Sequence, residues 1–241
     1  MIRMSNITRV YRTQHVETHA LSGFNLEVEA GEFVSVTGPS GSGKTTFLNV
    51  SGLLDTFDSG TYILDGRDVS RLSDREMSKI RNEKIGFIFQ GFNLIPDLNV
   101  FDNIDVPLRY RGTSAKARRA AIEEALEVVG LSSRIRHFPA QLSGGQQQRV
   151  AVARALVGTP HLILADEPTG NLDSEMASEI MDLLEKINGA GTTVIVVTHD
   201  PDLAARAPRQ IHLLDGKLLD VHEQERPLPL LDSAHRDGVT A

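Results

Sequence analysis

The chain has 241 residues, 40% of them hydrophobic and 24% charged, with a formal net charge of −7 and no cysteine. That size allows one large domain or two small lobes, and the missing thiols exclude disulfides, thiolate catalysis and Cys-based zinc sites. The acidic balance disfavours nucleic acid as a partner, and no apolar stretch approaches the roughly 20 residues of a membrane span.

The start, MIRMSNITRVYRTQHVETHA, lacks the apolar core of a signal peptide, so any membrane role is expected to run through a partner. Residues 33–37 read as a short strand that ends in a glycine-rich loop, with a helix expected over residues 46–52. Residues 84–90, 161–166 and 193–199 are near-continuous apolar runs, the pattern of parallel strands covered on both faces. Between them, residues 114–130 carry helical spacing with Ser114 as a start and Gly130 as a stop. Residues 146–157 and 174–188 read as two more helices. Residues 211–214 followed by Asp215-Gly216 predict a late hairpin. Residues 222–241 mix prolines and charges and are expected to form a flexible tail.

Gly38, Pro39, Ser40, Gly41, Ser42, Gly43, Lys44, Thr45 and Thr46 form a phosphate-binding loop in its required strand–loop–helix setting. Glycines let backbone N–H groups wrap phosphate oxygens, and the helix N-terminus adds positive potential. Lys44 supplies a full charge to the β- and γ-phosphates, and Thr45 offers a hydroxyl to Mg²⁺. Asp166 closes an apolar strand where it can hold Mg²⁺. Glu167, one step on, is placed to polarise a water for attack on the γ-phosphate.

Residues 142–149 read LSGGQQQR. On this string the chain resembles the nucleotide-binding subunit of an ABC transporter. The resemblance covers residues 2–221 and implies an α/β phosphate-loop NTPase core with a parallel-rich sheet, an N-terminal antiparallel β subdomain and a helical signature subdomain. It implies a core lobe over about residues 1–99 and 160–221, with the helical subdomain over about 100–159. Ser143, Gly144, Gly145 and Gln146 would complete the ATP site of a second copy, or of a homologous ATPase subunit, across a head-to-tail dimer. Gln90 would contact Mg²⁺ and the attacking water, Asp173 would lie at the dimer interface, His199 would reach the γ-phosphate and Tyr11 would stack on adenine.

The string EPTGNLD over residues 167–173 looks like the MacB/LolD/FtsE-type branch. It implies an integral membrane permease subunit docked near residues 91–101, where Phe92, Leu94, Ile95, Leu98 and Phe101 cluster. The cassette would sit peripherally on the cytoplasmic face of the inner membrane, powering export, efflux or lipoprotein extraction. The alternative within the branch is an FtsE-like ATPase that drives cell-wall enzymes without transport. A kinase would not need LSGGQ, a DNA-repair ATPase of this type needs a long coiled coil, and a tandem ribosomal ATPase needs two phosphate loops.

Overall fold

The computed structural model describes residues 1–13 and 16–223. Two sheets meet over the phosphate loop. The first is antiparallel: β1 (Ile2–Arg12) lies between β2 (Glu17–Val28) and β4 (Ser59–Leu64), and β5 (Arg67–Asp68) extends the edge. The second has β3 (Phe33–Thr37) near its middle, and runs β10–β9–β3–β8–β7–β6. Here β6 is Ile85–Phe89, β7 Leu162–Asp166, β8 Thr193–Val197, β9 Arg209–Leu214 and β10 Lys217–Glu223.

Strands β6, β7, β8, β3 and β9 are mutually parallel, and only the β9–β10 hairpin runs antiparallel. All five residues of β8 and the first four of β7 are buried, as expected for strands covered on both faces. The hairpin turns on Asp215 (φ 48°) and Gly216 (φ 71°), the pair of left-handed residues a type I′ turn requires.

One hydrophobic cluster joins the antiparallel sheet, one face of the large sheet and α1 (Lys44–Ser51), with Phe24 and Phe47 at 5.4 Å. The opposite face is covered by a second cluster, built with α3 (Val100–Tyr110), α4 (Ala115–Val128), α5 (Gly144–Leu156) and α6 (Ser174–Gly189). Ser114 caps α4 through the Ala117 N–H, and Gly130 follows its end at φ 72°. A further helix, α2 (Asp74–Lys84), leans on β6 and buries only Ile80.

Two boundaries move. Helix α1 begins at Lys44 and α5 at Gly144, each two residues before the expected start, because both glycine-containing loops feed straight into the first helical turn. Strand β10 continues to Glu223, so His222 and Glu223 pair with Gln210 and Arg209 and do not belong to a tail. The remainder of the expected tail, residues 224–241, lies outside the described residues.

Candidate active site

The register of β7 and β8 builds the site. Asp166 lies opposite Val197, and the Glu167 N–H then donates to the Val197 carbonyl at 2.9 Å. Glu167 takes φ 46°, a left-handed conformation that costs a non-glycine residue free energy. That twist turns its carboxylate toward the loop after β8, where His199 Nδ1 meets Glu167 Oε1 at 2.9 Å. Burial, and then the neighbouring Glu167 carboxylate, hold the Asp166 carboxyl above its ordinary value, with Lys44 opposing.

The phosphate loop connects β3 to α1. Lys44 Nζ donates to the carbonyls of Gly38 and Pro39 at 2.7 and 2.9 Å. Gly43 stands at the N-terminus of α1 with φ 104°, and no side chain caps that end. Its first N–H groups therefore remain available to an anion. Gly43 admits no side chain, since a Cβ would come within 2.3 Å of the Ala20 carbonyl. Thr45 is exposed at the loop's end and Thr46 is buried.

The signature lies at the start of α5, on the other side of the large sheet. Ser143 and Gln146 form a reciprocal capping box: the Gln146 N–H donates to Ser143 Oγ at 3.3 Å and the Ser143 N–H to Gln146 Oε1 at 3.1 Å. Gly145 packs on Met176, whose sulfur would be 2.7 Å from an added Cβ. Asp173 spends a carboxylate oxygen capping α6, accepting from the Met176 N–H at 2.9 Å.

Gln90 is exposed at the end of β6, with Nε2 3.4 Å from Asn171 Oδ1, while Asn171 donates to the Gln90 carbonyl at 2.9 Å. Tyr11 is 39% exposed, with its hydroxyl on Asp55 at 2.7 Å and the Arg9 guanidinium 4.8 Å from its ring centre.

Asp166, Glu167 and His199 thus gather at the ends of adjacent strands, the position where parallel α/β sheets hold ligands. No hydrogen bond joins the Ser143–Gln146 group to them. Two contributors escaped sequence reading, Gln148 and Arg154. Both sit in a helix whose amphipathic pattern hides polar side chains that turn inward. Of the apolar cluster in residues 91–101, Leu94 and Phe101 pack on the core and Ile95 is exposed.

The profile of the ABC transporter family matches residues 21–170. The chain belongs to the ABC transporter family. The cassette is 46% identical over 226 residues to an uncharacterized ABC transporter ATP-binding protein, YknY, of Bacillus subtilis, covering 94% of this chain and 98% of that protein. It is 47% identical over 219 residues to the macrolide export ATP-binding/permease protein MacB 1/2 of Paracoccus denitrificans, covering 91% of this chain and 33% of that longer protein. A dimeric structure of the ATP-binding cassette MJ0796 in a post-hydrolysis state with ADP and Pi matches with a TM-score of 0.86 and 44% identity, over 94% of this chain and all of that one.

The cassette is therefore the ATP-binding, ATP-hydrolysing subunit of an ABC transporter, with the mixed α/β fold its motifs imply. Among the described residues, no helix is long and apolar enough to cross a membrane.

Asp166 allows a test of the electrostatics. Its folded pKa is raised, so its ionised form opposes folding at neutral pH. The cost disappears as pH falls below the ordinary carboxylate range, where folded and unfolded chains both hold the proton. Nucleotide-free Asp166→Asn should melt above the parent at pH 7.5, with the gap closing toward pH 4. Identical melting at pH 7.5, measured by calorimetry, would contradict the assignment.

Proposed function

We propose that the cassette hydrolyses ATP at two composite sites of a head-to-tail dimer and passes the resulting movement to a membrane permease. The observation that carries this reading is the Glu167–His199 pair beside an uncapped α1 N-terminus, with the signature group held apart on α5. A second copy turned by two-fold symmetry brings its signature to the first copy's phosphates.

In this reading Gly38–Thr46 and Lys44 hold the triphosphate and Tyr11 stacks on adenine. Glu167 takes the proton of the attacking water. His199 orients that carboxylate through its Nδ1–H and turns its remaining ring nitrogen to the γ-phosphate. Gln90 orders the water from the β6 side. The two-fold partner's Ser143 and the N–H groups of its α5 offset charge developing on the γ-phosphate.

The residues present fit Mg²⁺. Asp166 is a half-buried carboxylate with an unfavourable charge to neutralise, and Thr45 and Gln90 add hard oxygen donors. Among the described residues no group of three acidic or histidine side chains forms a cage of its own, which suits an ion that takes its other ligands from phosphate and water. When bound, the ion would neutralise charge between the β- and γ-phosphates.

The permease is proposed to dock beside residues 91–101 and into the adjoining groove of about 1080 Å³ between α2, β6 and α3, which of that stretch only Asn93 lines. Phe87 and Phe89, stacked at 5.7 Å, line it with Val106, Pro107 and Tyr110, and Arg75, Lys79 and Arg81 edge it. Tyr110 is 82% exposed, a large ring in water on a helix end. A short amphipathic helix of a cytoplasmic permease loop suits the groove, and the cassette works peripherally on the cytoplasmic face. In membranes from the native host, the parent should sediment with an integral membrane protein, and Tyr110→Glu should shift mostly to the supernatant with unchanged basal ATPase. Failure of the parent to co-purify with any integral membrane protein would overturn the permease reading.

A further inference from the structure

Gln148 is fully buried in α5, two residues past Gln146 of the signature. Its Nε2 donates to the Pro168 carbonyl and lies 3.5 Å from the Phe89 carbonyl. Pro168 directly follows Glu167, and Phe89 directly precedes Gln90. One amide, carried by the signature helix, therefore holds the main chain beside both residues proposed to handle the attacking water.

The other half of the same amide argues against a packing role. Gln148 Oε1 is buried with no hydrogen-bond partner. A buried, unsatisfied oxygen costs stability relative to an apolar side chain of the same shape. The donor half must then supply the reason for a glutamine here. Farther along α5, Arg154 donates to the carbonyls of Phe92 and Asn93 at 2.9 and 2.5 Å, two left-handed residues at φ 59° and 50°. Helix α5 thus grips the Gln90 segment at both ends.

We infer that Gln148 is a positioning residue for ATP hydrolysis, tying the signature helix to the backbone that aims Glu167 and Gln90. The role rests on Glu167 acting as the base. It gives α5 a direct mechanical link to the base: a shift of the signature helix moves the Pro168 carbonyl, and with it the carboxylate one residue earlier.

The test uses Gln148→Met, which keeps the volume and removes both amide hydrogens. ATP affinity, read with a fluorescent ATP analogue, should stay within about twofold while kcat falls roughly 10- to 100-fold, the scale expected of a small misplacement. In a Glu167→Gln background the same change should add much less than its full loss, because Glu167, one of the two groups it aims, is already gone. Gln148→Glu gives a second readout. Burial against two carbonyls raises the pKa of that carboxyl, and only its protonated form can donate, so its kcat relative to the parent should recover toward pH 6 and fall toward pH 8.5.

A parent-like kcat in folded Gln148→Met, or a full extra loss in the Glu167→Gln background, would overturn the inference. So would a pH-independent defect in Gln148→Glu, which is the deciding measurement if the methionine variant does not fold. Near-normal hydrolysis by Glu167→Gln alone would instead defeat the base assignment beneath it.

Discussion

Glu167→Gln is expected to keep ATP binding and to cut turnover by roughly 10²–10⁴ fold, the usual worth of a positioned general base. The amide keeps the shape of the carboxylate and can still hydrogen-bond His199 Nδ1, so the site should not collapse. With hydrolysis blocked, the ATP-bound dimer should accumulate. Gel filtration with ATP should show a species of twice the mass in the variant and little of it in the parent. Removing one carboxylate beside Asp166 also relieves the repulsion between the two, so ATP affinity should not weaken. Hydrolysis within a fewfold of the parent rate would remove Glu167 from the mechanism.

The second large effect is a complementation. Lys44→Ala strips the charge from the phosphate loop, and Ser143→Arg fills the signature that closes the partner's site. Each variant alone should be nearly inactive. A heterodimer of the two has one doubly damaged site, and one site with an intact Lys44 facing an intact Ser143. Mixing the inactive proteins should therefore restore hydrolysis, up to one working site per mixed dimer. Placing both changes in one chain and mixing it with the parent chain should leave the mixed dimer with none. No recovery in the first mixture, or full activity in a strictly monomeric cassette, would refute shared sites.

Much of this site was legible because its chemistry is local in sequence. The phosphate loop, Asp166-Glu167 and LSGGQ each occupy a few consecutive residues, and the strands around them are short apolar runs that stand out from their surroundings. Caps were equally readable, since Ser114 announces α4 by its position before an alternating pattern. The N-terminal antiparallel sheet was legible only through the family resemblance, because register shifts between Met4 and Ile7, Ile7 and Arg9, and Arg9 and Val10 break the alternation of β1. Helix α2 escaped for the opposite reason: it buries one residue, so it has almost no apolar stripe, and only its Ser73–Glu76 capping box marks it. Helix α3 carries Pro107 inside it, which argues against a helix when pattern alone is considered. Gln148 is the hardest case, since nothing in a run of three glutamines tells which one faces inward.

The neighbours of β3 have a consequence for how the protein is made. This strand delivers the phosphate loop, yet it pairs with β8 and β9, which lie more than 150 residues later in the chain. The loop itself leans on the last hairpin, where the Gly216 N–H donates to the Ser42 carbonyl at 2.9 Å. Synthesis runs from the N-terminus, so the loop waits for residues 209–216 before it gains its supports. A nascent chain ending before Arg209 has the sequence of the phosphate loop without its scaffold. ATP can reward folding only once residues through Gly216 have been made, and a chain cut before Arg209 should fail to be rescued by nucleotide.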